Sequence, residues 1–231
     1  MNLTVLGSNS QGNSYVFQND ETALVIECGI SLKQVKQALD FNVAKLELVI
    51  VSHIHGDHGG KIKDFEKAGL KVIYPGAGMA HKKVIQTKSW KVMPLAVVHD
   101  VETYCFLIEN TETGRFLFLT DSHYCSYTFP GLNNILLETN YCQEILDRNV
   151  FSGKTNTALR ARIIHSHMEL QTAKEILMAN DLRQVNNIVL LHLSDSNSDA
   201  ARFKREVIEV TGKQVYIAEK GLTIPFNKSF V

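Results

Sequence analysis

Cysteine is scarce in this chain, and the four present, Cys28, Cys105, Cys125 and Cys142, are widely separated with no C-x-x-C pair. That spacing argues against a zinc knuckle and a disulfide scaffold, and leaves the thiols as small buried hydrophobes. Net charge is missing too: 24 Lys and Arg balance 24 Asp and Glu, so no bulk positive field draws in a polyanion and any such site must be local. No apolar run approaches the roughly 18 residues of a membrane span, and the opening MNLTVLGSNS carries neither a basic region nor a long apolar segment. The expectation is a cytoplasmic protein without membrane contact. Repeats, low-complexity tracts and Pro/Gly/Ser linkers are also lacking, so residues 1–231, 45% of them hydrophobic, are expected to form one domain.

What is there is an alternation of short apolar runs with helical patterns. Runs at 2–6, 14–17 and 23–27, separated by turn-rich SNSQGNS and NDE, predict a strand meander. SLKQVKQAL follows, with Leu32, Val35 and Leu39 at helical spacing behind a Ser31 placed to cap the first turn. The pattern then predicts strand 46–51, helix 60–68, strand 71–74, a helix over 77–86, and strands 90–98, 103–109 and 115–119. The second half predicts strands 134–138, 187–192, 214–217 and 222–225 with helices 140–148, 170–179 and 199–210. Residues 150–160 read as a mobile polar loop before a basic helical segment. Strand and helix in alternation give an α/β (α+β) class with sheet faces covered by helices.

The apolar strand LELVIV, 46–51, runs straight into SHIHGDHGG, 52–60. His53 and His55 lie two apart on extended chain and point the same way, and a turn at Gly56 brings Asp57 and His58 beside them. Imidazole and carboxylate suit zinc, manganese or iron, and a set this rich exceeds what one four-coordinate ion with an open position needs. Two divalent ions are the expectation.

The H-x-H-x-D-H motif after an apolar strand resembles the metallo-β-lactamase superfamily, whose fold is a four-layered αβ/βα sandwich with a dinuclear site at one sheet edge. The resemblance continues downstream: VVHD supplies His99, FLFLTDS supplies Asp121 and NIVLLHLSDSN supplies His192, each directly after an apolar strand and in the family's order. It implies that His53, His55 and His99 hold one ion, that Asp57, His58 and His192 hold the other, and that Asp121 bridges them. The true β-lactamases have cysteine where this chain has Asp121, which disfavours lactam hydrolysis.

Five further segments are similar to the branch of phosphodiesterases that includes RNase Z and the YycJ/WalJ-type exonucleases. They are LGSNSQGNSYVF, VIECGISLKQVKQAL, LETNYCQEIL, HSHMELQTA and HLSDSNSD. This resemblance implies a nuclease in which a metal-bridging hydroxide attacks phosphorus, while His167, backed by Glu138, protonates the leaving oxygen. Two departures stand out. Glu27-Cys28-Gly29 replaces Asp-x-Gly and is expected to alter support for the metal loop. Ser166-His167-Met168-Glu169-Leu170 replaces Gly-His-Leu-Ser-Asn, where Glu169 would repel phosphate and His165 offers an alternative donor.

For a nucleic-acid substrate, Lys82, Lys83 and Lys88 in HKKVIQTKSWK and Arg160 and Arg162 in LRARIIHSH could track a phosphate backbone, with Trp90 stacking on a base. The alternative is two solvated helix faces with Trp90 in the core. His81 and His123 are read as bystanders. Two rival functions share the metal ligands: a small-molecule hydrolase of glyoxalase II-like thioesterase or lactonase type, and a non-catalytic metal-dependent binding module. Oligomeric state, DNA versus RNA and endo versus exo cleavage stay open.

Overall fold

A computed structural model describes residues 1–229. In chain order its elements are β1 (Asn2–Gly7), β2 (Ser14–Gln18), β3 (Ala23–Ile26), α1 (Leu32–Ala38), β4 (Leu46–Ile50), α2 (Gly56–Gly59), α3 (Ile62–Lys67) and β5 (Val72–Ile73). Then come β6 (Ile85–Gln86), β7 (Lys91–Val97), β8 (Thr103–Asn110), β9 (Gly114–Leu119), β10 (Leu132–Glu138), α4 (Gln143–Phe151), α5 (Thr157–Ser166) and α6 (Leu170–Met178). The chain closes with β11 (Asn187–Leu191), α7 (Ala200–Thr211), β12 (Gln214–Ile217) and β13 (Thr223–Pro225).

Two mixed sheets result, ordered β13-β1-β2-β3-β4-β5 and β12-β11-β10-β9-β8-β7-β6. In the first, β3, β4 and β5 are parallel; in the second, β9 to β12 are. Continuous apolar strands are what such a layering needs, because side chains alternate between faces and both faces are covered. In β4, Leu48 and Ile50 point to the core between the sheets, while Val49, with Val51 just beyond, packs outward under α1 and α3. In β9, Phe116 and Phe118 point inward and Leu117 and Leu119 pack beneath α6 and α7. The inter-sheet core is aromatic, with Phe17 stacked on Phe116 at 4.9 Å between ring centres. Helices, sheet, sheet, helices make the four-layered αβ/βα sandwich.

Three expectations change. No helix forms over 77–86: Pro75 ends helical phasing, Gly76 and Gly78 take positive φ, Lys82 lies at φ 59°, and only β6 pairs, against β7. The stretch 150–160 is mostly helical, since α4 runs to Phe151 and α5 starts at Thr157. The Asn156 side chain accepts the Leu159 N–H and so caps α5, and Ile163 packs on Tyr141 and Leu146. Ser31 stands at the start of α1 without capping it; its hydroxyl accepts from Gln34 Nε2 instead. All four cysteines are buried and free. No helix is long and apolar enough to cross a membrane.

Candidate metal centre

The ligand-type residues sit where strands of both sheets end. His53 follows β4, His99 follows β7, Asp121 follows β9, Glu138 closes β10 and His192 follows β11. After β4 the chain bends into the short α2, whose helical turn places Asp57 and His58 on one side. The bend is tight: a Cβ on Gly29 would lie 1.8 Å from the Asp57 carbonyl oxygen, so only glycine fits there. Asp121 and His192 take left-handed φ of 44° and 52°. Such strain in non-glycine residues persists where the surrounding structure enforces it, and it clusters at functional sites.

Three overlapping groups have donor atoms within 4.8 Å of one another: His53, His55, His99 and Asp121; Asp57, His58, Asp121 and His192; and Asp121, Glu138, His167 and His192. The first two share Asp121, which is the division the sequence implied. Asp121 Oδ2 lies 3.7 Å from His53 Nε2, and Oδ1 lies 3.4 Å from His58 Nε2 and 2.9 Å from His192 Nδ1.

The imidazoles are held from behind. His53 Nδ1 meets Ser52 Oγ at 2.9 Å, and His99 Nδ1 donates to the Ser166 carbonyl at 2.9 Å. Glu27, fully buried at φ 72°, accepts the Ser52 N–H and lies 3.6 Å from His58 Nδ1, so this departure from Asp-x-Gly does support the loop. These contacts leave His53 Nε2 buried without a hydrogen-bond partner and facing the other donors. A buried polar atom in that state calls for an ion or equivalent. The donor set fits divalent cations.

The charges agree. Burial alone would strip the proton from His58 and His192, but Asp121 between them reverses this, holding His58 well above the usual range and His192 at about 10. Burial would raise Asp121, yet those two imidazoles hold its carboxyl well below the usual range. His53 has burial and the charge of His58 against it, and falls to about 2.

Beside this cluster, Glu138 is fully buried, not a surface charge; its Oε1 lies 2.7 Å from His167 Nδ1 and its Oε2 accepts the Ser122 N–H. His167 loses affinity for its proton through burial but gains more from Glu138, and its pKa is raised. His165 is exposed and outside the site. Glu169 is engaged elsewhere, as the cap of α6, accepting from Gln171 N and Thr172 N.

A cleft of about 300 Å³ opens over the cluster, lined by Ser10, His55, Gly56, Asp57, His99, Asp100, Asp121, Arg162, Ser166, His167 and His192, with no aliphatic side chain among them. Of the five basic residues singled out in the sequence, only Arg162 lines it. Arg160 pairs with Asp147 of α4 at 2.9 Å. The Lys82 N–H bonds Pro94 O midway along β7, and Lys88 sits in the β6–β7 turn, a strand's length from His99. Trp90 does not stack on a ligand: it is fully buried, its Nε1 donating to Thr22 Oγ1 at 2.9 Å. His81, accepting the Ala96 N–H, stays a bystander.

Several participants were not singled out from sequence. Asn13 Nδ2 lies 2.9 Å from His58 Nε2 and its N–H donates to Asp57 O, a role hidden in the opening GNS motif. Asp100, next to His99, carried no separate signal. Tyr124, 53% exposed three residues beyond Asp121, is outside the cleft lining.

The fold is of the metallo-β-lactamase type, and the donor set where its strands end suits divalent cations. The family model for the Metallo-beta-lactamase superfamily matches residues 7–81. An exodeoxyribonuclease WalJ of Streptococcus pneumoniae is 24% identical over 225 residues, covering 84% of this chain and 82% of that protein. The metallo-β-lactamase fold protein YhfI from Bacillus subtilis superposes with a TM-score of 0.69 at 18% identity, over 97% of this chain and 99% of its own. The short form of human tRNase Z superposes at 0.62 and 13% identity, over 98% and 99%. The chain is thus similar to the metallo-β-lactamase superfamily over residues 7–81 and to a WalJ exodeoxyribonuclease over most of its length.

Proposed function

We propose that the protein is a phosphodiesterase that cleaves nucleic acid with two divalent ions, zinc, manganese or iron. His53, His55 and His99 would hold one, Asp57, His58 and His192 the other, with Asp121 between. When bound, such ions lower the pKa of water held at the site and neutralise charge developing on phosphoryl oxygens.

The observation that carries this reading is the His167–Glu138 pair on the wall of a cleft that no aliphatic side chain lines. An alkoxide leaves a phosphodiester poorly and needs a proton. Glu138 engages His167 Nδ1, which leaves the other ring nitrogen for the cleft, and the Glu138 carboxylate raises the ring's pKa, favouring its protonated form. Arg162, which lines the cleft, supplies a cation for a neighbouring phosphate. Tyr124 offers an exposed ring for a base, the part Trp90 is too deeply buried to play. A thioesterase or lactonase would want aliphatic walls for its acyl group, and no aliphatic side chain lines this cleft. The similarity to an exodeoxyribonuclease and a tRNase Z agrees with a nucleic-acid substrate.

Metal-loaded protein should hydrolyse labelled oligonucleotides and bis(p-nitrophenyl) phosphate, with no comparable rate on a thioester. Turnover of thioester or lactone with no cleavage of single- or double-stranded DNA or RNA would overturn the proposal. Two metal equivalents with no hydrolysis of any substrate would leave a binding module.

A further inference from the structure

We propose that Asp100 is a further donor to the ion held by His53, His55 and His99, and the one that an incoming anion displaces; this rests on the metal-centre reading above. Asp100 Oδ1 lies 3.0 Å from His99 Nε2 and 3.4 Å from His55 Nε2. His99 Nδ1 is engaged by the Ser166 carbonyl, so its Nε2 is the nitrogen facing the site. Donors about 2.0–2.1 Å from a common ion stand roughly 2.9 Å apart at right angles and roughly 3.4 Å apart at the tetrahedral angle. The Asp100 separations fall in that interval, with His55 facing the ion through Nε2.

Among the described residues no lysine or arginine pairs with Asp100; its ion-pair partners are the two imidazoles. It lies in the loop between β7 and β8 and lines the cleft. Its side chain is 45% exposed, against 3% for Asp121. The buried donors are fixed by their surroundings, whereas Asp100 can swing into water when a phosphate oxygen takes its position. A negative group there also repels an anion that fails to displace it.

The alternative role, orienting His55 by accepting its Nε2 proton, is separated by comparing D100N with D100A. Asparagine keeps the accepting oxygen but is a poor metal ligand. Metal retained after dialysis against a graded chelator, and the visible spectrum of the Co²⁺-loaded protein, are read for each. As a ligand, Asp100 requires that both variants hold the first ion at least about tenfold more weakly and shift the cobalt bands. At saturating metal, D100N should bind inorganic phosphate about fivefold more tightly. Wild-type retention and spectrum in D100N, with or without weakening in D100A, would overturn the ligand role, and unchanged phosphate affinity would overturn displacement. If the predicted metal behaviour is found but no phosphodiester is cleaved, the substrate reading fails and this one stands.

Discussion

His53 shows how a residue's setting makes its role testable. It is buried with an unpartnered Nε2 aimed at the other donors, so removing the ring removes a ligand while leaving the backbone bonds intact. His53→Ala should keep the far-ultraviolet circular dichroism of the parent, lose metal by elemental analysis, and lose turnover. His167 makes a sharper case. His167→Gln should lower kcat on an oligonucleotide by about 10²–10⁴ but slow bis(p-nitrophenyl) phosphate far less, because p-nitrophenolate leaves without a proton. Glu138→Gln should follow the same split, with metal content unchanged in both. The clustering of the histidines was legible because a chain rarely sets three histidines and an aspartate within six positions, and because each companion follows an apolar strand. Asp100, Asn13 and Tyr124 were not: each is an ordinary residue type whose meaning comes from neighbours up to 45 positions away.

At the scale of elements, α5 carries more of the site than its surface position suggests. Its last carbonyl, on Ser166, fixes His99; Arg162 reaches the cleft from it; His167 follows its end. The helix depends on the Asn156 side chain for its first turn. Asn156→Ala should cost about 1 kcal/mol of stability, read as a lower urea midpoint, and raise KM for an oligonucleotide more than it lowers kcat. Period and apolarity made the strands readable, since strands buried on both faces can hardly be written otherwise. They misled at 77–86, where spaced apolar residues suggested a helix but Pro75, Gly76 and Gly78 had already broken the phase. At 150–160 polar composition suggested a loop, and the cap at Asn156 with a small apolar contact under Ile163 outweighed it.

Across the whole molecule, the ends of β4, β7, β9, β10 and β11 carry the chemistry, and the starts of β3, β4 and β7 carry a tie between the two sheets. Glu47 of β4 accepts from the Ser89 N–H and hydroxyl and from Thr22 Oγ1, and Thr22 in turn accepts from Trp90. Partial burial would raise the Glu47 carboxyl, but these donors lower it to about 2. A depressed folded-state pKa gives stability that is present above the ordinary value near 4.5 and lost as pH falls toward 2. Glu47→Gln should therefore lower the urea midpoint at pH 7 by the equivalent of about 2 kcal/mol, and the gap to the parent should close between about pH 4.5 and 2.

The last of the seven expected ligands, His192, has its N–H bonded to Ser8 Oγ, and β13 lies against β1. Residues 8 and 192, far apart along the sequence, thus meet at the pocket. During synthesis, the loop at 53–58 leaves the ribosome long before His99, Asp121 and His192 and has only part of a cage to offer, so a stable hold on cations would wait until His192 has emerged. Cargo loading then serves as a seal on correct completion: truncated or half-built copies should carry little metal, and chelation should be felt by the finished molecule alone.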